Sequence, residues 1–522
     1  MKRRLTEDVM RWLMVAMTLT AVNVAAQSPS VATPTAINTI REQDLRTDLF
    51  AMAGDALRGR EAGTLDEMRA SMWTAKQLRH IGIEPMGENG TYFQWFNMRR
   101  TRVSTVGSSV RIGGKPFAMW TEITPASNTV GDVVGQTVFA GDGGDSTIDV
   151  RGRIAVVMLR PTSQGTRTTV NTPEYRAVRQ GITVQSGALT RRGAAAVIVV
   201  ADSVGESMFD AVAKLQSRGA YTVIGGASRF APQGRGAGAG GGRGGRGGGG
   251  PAQPQAVPVL LAHSSALSQL REDGQGVEIH LRSESFDTPS VNIIGVVRGT
   301  DPTLRNEYVV FSSHQDHDGV RYTVAGDSIW NGADDNGSTS VALLAIARAW
   351  VKQPARRSAL FIYHGAEERG LLGSLWHAAH PVVPLASMAA LLNGDMIGRN
   401  HPDTASLLGI QPPHRNSTTL VQMALDANNR TGKFVLDSLW DRPSHPEGWY
   451  FRSDHVPYAR LNVPALFFTT NLHDDYHTPR DNPDRIDYPK LTRMTKWMYL
   501  TGWIVANTRE RPAIDVGFQL ER

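Results

Sequence analysis

The C-terminal half of the chain contains the stretch Tyr308-Val309-Val310-Phe311-Ser312-Ser313-His314, a short apolar run that ends in a histidine. Its length and its β-branched and aromatic residues predict a buried strand. Two similar runs also lead to side chains that can bind metal: Ala359 to Tyr363 before Glu367 and Glu368, and Met388 to Leu392 before Asp395. Three predicted strands therefore end close to nitrogen or oxygen ligands.

Segments with helical periodicity, such as Ser338 to Trp350, separate these strands. Strands that alternate with helices predict an α/β fold, in which helices cover both faces of a mainly parallel or mixed sheet. Ligands of such sheets bind in the crevice outside the carboxyl ends of the strands. Residues that are far apart in the sequence can therefore meet in one site.

Together with His477, these residues could complete a two-metal site. Two ions about 3.5 to 4 Å apart need a bridging carboxylate and further ligands on each side. Asp335 is the predicted bridge because glycines flank its loop, and Asp334 is the alternative. Neighbouring side chains of an extended segment point in opposite directions, so we expect one of Glu367 and Glu368 to bind metal while the other faces the attacking water.

Further residues are candidates for roles around the metals. Asp316 is expected to accept the second imidazole N–H of His314 and so to fix the ring tautomer. Tyr450 could donate its hydroxyl to the developing oxyanion. Four other histidines are interpreted as structural residues or as outer partners of the ligands: His317, His364, His455 and His473.

Each of these signals is weak when it is taken alone. His-x-Asp sequences and Glu-Glu pairs are common on surfaces, and Asp334-Asp335 could form a turn and a helix cap. The combination favours a functional site, because independent structural explanations would all have to coincide at strand ends.

Residues 1–26 have the pattern of a secretory signal peptide that is cleaved before Gln27. Basic residues precede an apolar run from Trp12 to Val24, and small residues follow it. The run is shorter than the roughly 18 to 20 residues of a membrane span, so a retained anchor is the less favoured alternative. We expect an exported protein, periplasmic or secreted, without stable membrane insertion.

The chain contains no cysteine, so disulfides and thiolate metal sites are excluded. Of the formal net charge of +6, two units lie in the signal segment, and three arginines lie in the glycine tract 234–250. We interpret that tract as a disordered surface loop rather than as an RNA-binding segment. The remainder is close to neutral, which argues against a nucleic-acid partner. The sequence leaves the oligomeric state open.

Composition divides the mature chain into three parts. Residues 27–116 include a predicted amphipathic helix from Leu65 to about Arg79, and the composition of the sequence changes after them. Residues 117–285 contain short β-rich runs between glycine-rich turns, which predicts an inserted domain. Residues 286–522 carry the candidate site.

Six stretches of the C-terminal part have the order and spacing of a known family: Ser313-His314-Gln315-Asp316-His317, Asn331-Gly332-Ala333-Asp334-Asp335-Asn336-Gly337-Ser338, Gly365-Ala366-Glu367-Glu368-Arg369-Gly370-Leu371-Leu372-Gly373-Ser374, Asp395-Met396-Ile397-Gly398-Arg399, Arg452-Ser453-Asp454-His455 and Asp475-Tyr476-His477-Thr478-Pro479. They resemble the M28 zinc metallopeptidases, particularly secreted bacterial aminopeptidases that carry a protease-associated (PA) domain. Residues 59–64 and 91–94 look like the N-terminal portion of that family. Residues 152–157 and 193–198 look, more loosely, like a PA domain inserted at 117–285.

The resemblance implies an aminopeptidase that acts on peptides with a free N-terminus through metal-activated water. It implies two Zn²⁺ ions, for which Co²⁺ or Mn²⁺ could substitute. The roles that it implies are His314 and Asp395 on one ion, Glu368 and His477 on the other, Asp335 between them, Glu367 as general base, Asp316 as partner of the His314 ring, and Tyr450 as oxyanion donor.

Other functions of this fold stay open, namely a carboxypeptidase, a glutaminyl-cyclase-like enzyme and a non-catalytic binding protein similar to transferrin-receptor ectodomains. Cyclase relatives use one zinc, and binding relatives are expected to lose ligands or the base, whereas this chain retains them. Two departures affect the expected pocket shape: Gln315 replaces a common aromatic residue, and Asp318 replaces a common leucine.

Overall fold

The computed structural model describes residues 31–160, 173–225 and 256–521 of the chain. The predicted signal segment and the glycine-rich tract lie outside these ranges. No helix within these ranges is both long enough and apolar enough to cross a membrane.

The described residues form two large sheets and flanking helices. The strands are β1 Glu84–Pro85, β2 Phe93–Val103, β3 Ser109–Ile112, β4 Lys115–Phe117, β5 Ile123–Pro125, β6 Gly131–Phe139, β7 Ile154–Met158, β8 Ala196–Val200, β9 Ala220–Val223, β10 Val259–Ala262, β11 Gly276–Leu281, β12 Ser283–Val297, β13 Tyr308–His314, β14 Gly319–Val324, β15 Asp327–Trp330, β16 Ser358–His364, β17 Met388–Gly394, β18 Thr404–Leu408, β19 Val435–Leu436 and β20 Ala465–Thr469. The helices are α1 Glu42–Met52, α2 Leu65–Ile81, α3 Pro173–Arg191, α4 Ser203–Arg218, α5 Leu267–Leu270, α6 Thr339–Lys352, α7 Leu372–Ala379, α8 Thr418–Arg430, α9 Val456–Ala459 and α10 Tyr488–Asn507.

The main sheet has the strand order β19-β18-β20-β17-β13-β16-β12-β2-β9, and β1 pairs with β12. Its four central strands, β20-β17-β13-β16, are parallel. On one side β12, β2 and β9 are each antiparallel to the inner neighbour, and on the other side β18 is antiparallel to β20 whereas the edge strand β19 is parallel to β18. The predicted α/β fold with a mixed sheet is confirmed.

Helices cover both faces of the main sheet. On one face, Val310 and Leu360 pack in a cluster with residues of α7 and α9. On the other face, the Phe311 ring packs against Trp350 of α6, and Trp350 in turn contacts Trp503 of α10. Strands β13, β16 and β17 are buried along their whole length, which explains why their sequences are continuously apolar rather than alternating.

The second sheet has the order β4-β3-β11-β6-β7-β8-β10-β5, and its centre, β6-β7-β8-β10, is parallel. Two apolar clusters lie on its two faces, one of them under α3 and α4. The sheet begins before the boundary predicted at residue 117, because the hairpin β3-β4 pairs with β11. The hairpin turns at Gly113 and Gly114, which both have positive φ.

The two sheets are joined by a long ribbon. Strands β2 and β12 pair antiparallel from Phe93 opposite Ile293 to Val103 opposite Ser283. One end of this ribbon belongs to the main sheet, and the chain enters and leaves the second sheet at the other end. The inserted part therefore has two covalent connections that run side by side.

Arg60 fastens two loops of the main-sheet part. Its fully buried guanidinium donates to the carbonyl oxygens of Gln315 at 2.8 Å, Asn331 at 2.7 Å and Gly332 at 3.0 Å. Burial lowers its pKa to about 10, so it stays charged at neutral pH. These bonds hold the loop after β13 against the loop that leads to Asp335.

Glu67 is a fully buried acid on α2. Its carboxyl group accepts hydrogen bonds from Ser290 Oγ at 2.6 Å and from the Gly63 N–H at 2.7 Å. Burial is the main cause that raises its pKa to about 8. The carboxyl group is therefore protonated in the folded state at neutral pH.

We predict that Glu67→Gln removes part of the pH dependence of stability. Glutamine mimics the protonated acid, whereas the wild-type folded state must retain a proton that the unfolded state, with a pKa of about 4.5, releases. Wild-type stability should fall relative to the variant as the pH rises from about 4.5 to about 8, by about 1.4 kcal/mol per pH unit. Urea unfolding at several pH values measures this difference, and Glu42→Gln, at an exposed position at the start of α1, is the control. Parallel curves for the two proteins would contradict the prediction.

Candidate metal centre

Two groups of possible metal donors lie at the carboxyl ends of the central strands. Within each group, the donor atoms lie within 4.8 Å of one another. The members are His314, Asp335 and Asp395 in group 1, and His317, Asp335, Glu368 and His477 in group 2. The structure thus brings together all five predicted metal ligands, and it adds His317.

Asp335 faces both groups with different oxygens. Its Oδ1 lies 3.2 Å from His314 Nε2, and its Oδ2 lies 3.0 Å from His477 Nε2. The neighbouring Asp334 is turned away, and its Oδ1 accepts the N–H of Gly398 at 2.7 Å. Asp335 rather than Asp334 therefore has the geometry of a bridge.

The loop around Asp335 is held by hydrogen bonds to Asp481 and by close packing of Gly332 against the His317 ring. The buried carboxylate of Asp481 accepts the N–H of Asp334 at 2.9 Å and the N–H of Asp335 at 3.1 Å. Gly332 has a φ of +58°, and a Cβ at this position would lie 2.3 Å from Cγ of His317. Glycine is required here because the imidazole occupies the space of any side chain.

Group 1 lies where β13 and β17 end side by side. His314 Nε2 is 3.5 Å from Asp395 Oδ1. The other oxygen of Asp395 accepts a 2.8 Å hydrogen bond from Ser453, whose hydroxyl accepts the amide of Asn393 at 2.8 Å. These bonds fix one carboxylate oxygen and leave Oδ1 facing His314.

The expected role of Asp316 needs correction. Its carboxylate oxygen is 3.9 Å from His314 Nδ1, whereas its main-chain oxygen is 3.1 Å from that nitrogen. The carboxylate instead accepts the N–H groups of Glu367 at 3.0 Å and Glu368 at 3.3 Å. Asp316 therefore positions the two glutamates, because the backbone of its own loop already occupies the imidazole N–H.

Glu367 and Glu368 lie in a short 3₁₀ turn, Glu367–Arg369, and not in the extended segment that the sequence suggested. Glu368 Oε1 is 3.1 Å from His477 Nε2 and belongs to group 2. Glu367 belongs to neither group, and its Oε2 lies 3.9 Å from His314 Nε2. Burial raises the pKa of Glu367 well above its usual value.

Asp318 is a further residue whose role the sequence did not reveal. It is fully buried, and its Oδ2 lies 3.1 Å from His477 Nδ1, on the side of the ring away from the other donors. Arg218 of the inserted part contacts the other oxygen at 3.5 Å, and Arg321 contacts the same oxygen. The departure from leucine therefore places a buried carboxylate at ion-pair distance from the His477 ring.

Tyr450, the predicted oxyanion donor, is wrong for that role. Its ring is fully buried and stacks on His414 with centroids 4.1 Å apart, and its edge meets His455. Its hydroxyl has no hydrogen-bond partner among the described residues. The turn Trp449–Phe451 directs this side chain into an apolar cluster, and sequence spacing could not show that direction.

Tyr476 is the tyrosine beside the donor groups. Its ring packs against that of His477 with centroids 4.0 Å apart, and its hydroxyl accepts a 2.9 Å hydrogen bond from Arg452. Burial raises the pKa of Tyr476 to about 12, so its own proton stays in place at neutral pH. Its position directly before His477 was the available sequence signal.

The donor set fits divalent cations. Asp395 Oδ1, Glu368 Oε1 and His477 Nε2 are buried and have no hydrogen-bond partner among the described residues. Closely spaced carboxylates repel one another unless cations lie between them. Imidazole and carboxylate donors suit zinc, and also cobalt and manganese.

Of the histidines interpreted as structural, His364, His455 and His473 belong to neither group.

We predict that Asp335→Asn removes most of the stabilisation by added Zn²⁺. A ligand whose free concentration is 100 to 1,000 times its Kd stabilises the folded state by about 3 to 4 kcal/mol. The variant should lose most of this stabilisation, because it lacks the carboxylate that both donor groups share. Thermal unfolding with and without Zn²⁺ measures the effect. Asp334→Asn is the matched control and should keep the shift. An equal shift in Asp335→Asn and wild type would contradict the assignment.

Comparisons of structure show a fold shared with aminopeptidases. The aminopeptidase from Aneurinibacillus sp. strain AM-1 aligns with a TM-score of 0.53 and 17% identity, over 92% of this chain and 98% of that chain. BSAP, a zinc aminopeptidase from Bacillus subtilis, aligns with a TM-score of 0.55 and 17% identity, over 90% of this chain and 96% of that chain. At this level of identity the likeness concerns the fold.

Comparisons of sequence agree with the fold. Aminopeptidase YwaD of Bacillus subtilis (strain 168) is 28% identical over 233 residues, which are 42% of this chain and 47% of that protein. Leucine aminopeptidase 2 of Trichophyton rubrum is 27% identical over 178 residues, 33% of this chain and 32% of that protein. The chain thus spans less than half the length of these two relatives. Residues 292–501, which include every donor of groups 1 and 2, match the model of peptidase family M28.

Proposed function

We propose that the chain is a two-zinc aminopeptidase that removes N-terminal residues from peptides. The observation that carries the proposal is Asp335, which turns one carboxylate oxygen toward each donor group beside Glu367. The match of residues 292–501 to the model of family M28 and the aminopeptidase relatives support peptidase chemistry. The zinc named for BSAP and the nitrogen and oxygen donors support the choice of metal.

Glu367 is the general base of the proposed reaction. When bound, the two ions would acidify a water molecule and polarise the scissile carbonyl. Glu367 lies beside group 1 but outside both groups, so its carboxylate is free to accept a proton from the attacking water. It then donates this proton to the departing amine. Asp316 holds the turn that places this carboxylate.

Tyr476 is the proposed oxyanion donor in place of Tyr450. Its hydroxyl oxygen accepts from Arg452, which leaves its proton available for a substrate oxygen. Arg452 is itself held by Glu447 at 2.7 Å. A donor that is fixed before the reaction stabilises developing charge without reorganisation.

The preference for a free N-terminus is carried over from the relatives. Aminopeptidase YwaD of Bacillus subtilis and Leucine aminopeptidase 2 of Trichophyton rubrum are both named as aminopeptidases. Their names favour an aminopeptidase over a carboxypeptidase.

The proposal extends to localisation and to the inserted part. The signal-peptide pattern of residues 1–26 supports export to the periplasm or the medium. The likeness of residues 152–157 and 193–198 to a PA domain supports that identity for the second sheet.

Substrate choice tests the proposed function directly. Purified wild-type protein is assayed with aminoacyl and N-blocked chromogenic substrates side by side, before and after chelation of metal. We expect cleavage of the unblocked substrates and its loss on chelation. Cleavage of blocked substrates alone would reject aminopeptidase activity, and cyclisation of an N-terminal glutamine would indicate the cyclase alternative.

We predict that Glu367→Gln lowers kcat by about 10² to 10⁴ or more, because the amide cannot accept the proton. Metal content, measured by elemental analysis, should stay at the wild-type value, since Glu367 lies outside both donor groups. Glu278→Gln, on the exposed side of β11, is the control. Wild-type turnover in Glu367→Gln would exclude the role of general base.

The two tyrosines give a paired prediction. Tyr476→Phe should lower kcat by about 10² to 10³, the usual cost of one oxyanion donor. Tyr450→Phe should keep wild-type kcat, because the hydroxyl that it removes makes no hydrogen bond among the described residues. Steady-state kinetics of both variants measure the difference, and the opposite ranking would restore the role to Tyr450.

A further inference from the structure

His317 is an imidazole that the proposed reaction leaves without a task. The side chain is fully buried, and neither ring nitrogen has a hydrogen-bond partner among the described residues. Its Nδ1 is only 2.8 Å from Glu368 Oε1, yet this contact lacks the alignment of a hydrogen bond. A buried ring without polar partners is costly unless another group satisfies it.

The position of the ring is fixed by its surroundings. The His317 N–H donates to the main-chain oxygen of Arg60 at 3.2 Å, and its backbone pairs with Glu61 in an isolated bridge. Gly332 leaves the space that the imidazole fills. The ring therefore lies beside the donor atoms of group 2 in a fixed position, so binding an ion would cost it little conformational entropy.

The spacing of the donors in group 2 resembles a tetrahedral shell. Bonds of about 2.0 to 2.2 Å to zinc place neighbouring donors about 3.3 to 3.6 Å apart. His317 Nδ1 is 2.8 Å from Glu368 Oε1 and 3.8 Å from Asp335 Oδ2. His477 Nε2 is 3.1 Å from the same Glu368 oxygen and 3.0 Å from the same Asp335 oxygen. His317 lies where a fourth donor would lie.

We propose that His317 is a fourth protein ligand in group 2, so that the two metal positions differ in donor number. Group 2 offers two imidazoles and two carboxylates, whereas group 1 offers one imidazole and two carboxylates. Group 2 fills first and holds its ion more tightly, and group 1 exchanges its ion. This inference rests on the two-metal site of the proposed function but not on its substrate.

Stepwise loading with Co²⁺ tests the inference in the full-length protein. Proton NMR of the paramagnetic protein counts the imidazole N–H signals that a bound Co²⁺ shifts. After one equivalent, we expect two such signals, from His317 and His477, and one signal in His317→Ala. A single signal at one equivalent in both proteins would overturn the proposal.

Metal affinity provides the second measurement. Competition with a chromogenic chelator should give two unequal dissociation constants in the wild type. His317→Ala should weaken the tighter one at least about tenfold, since loss of even an outer partner of a ligand costs 10- to 100-fold. Free imidazole, which can enter the vacated space, should recover part of the loss. His314→Ala, in group 1, should leave the tighter constant unchanged.

Two controls separate the possible failures. His317→Gln and circular dichroism of the metal-free variants detect loss of folding, and the glutamine variant replaces His317→Ala if the latter unfolds. Two bound ions with affinities that neither His317 variant changes would overturn the ligand role and leave the proposed function intact. Absence of cation binding in the wild type would overturn both.

Discussion

The concentration of carboxylates around Asp335 is the constraint on which the site depends. Asp335, Glu367, Glu368 and Asp395 lie within a few ångströms of His314 and His477 and are largely shielded from water. Carboxylates at such spacing cannot all ionise without compensating positive charge. The divalent cations of the proposed function would provide that charge, and buried oxygen and nitrogen atoms without hydrogen-bond partners among the described residues are available to hold them. The same clustered carboxylates would therefore bind the catalytic cations and depend on them for charge compensation.

The surrounding fold holds these charges in place with few degrees of freedom. Parallel strands β13 and β17 end side by side, which sets the separation of His314 from Asp395. Arg60 ties the loop after β13 to the loop before Asp335, and Asp481 holds the backbone of Asp335. Such outer partners determine which oxygen or nitrogen faces the donors.

The inserted part also reaches the site. Arg218, at the end of α4, contacts Asp318, and Asp318 contacts the Nδ1 of His477. Arg176 of α3 lies close enough to Glu447, Arg452 and Tyr476 for their charges to influence its pKa, which burial lowers. Helices α3 and α4 of the inserted part thus lie beside the candidate site, and α4 contacts the carboxylate that neighbours His477. The antiparallel ribbon β2-β12 gives this part a defined connection to the main sheet.

The sequence by itself determined the α/β fold and the five residues proposed as metal ligands. Apolar runs that end in polar residues specify buried strands, and the carboxyl ends of parallel strands meet in one crevice. Only the tertiary structure shows that Asp335 rather than Asp334 faces both donor groups. It also shows that the Asp316 carboxylate accepts the N–H groups of the two glutamates, and that the Tyr450 side chain packs in the core. It also brought His317 and Asp318 to the donors. Periodicity and spacing fix where an element begins and ends, but loop geometry and packing against distant residues fix where a side chain points.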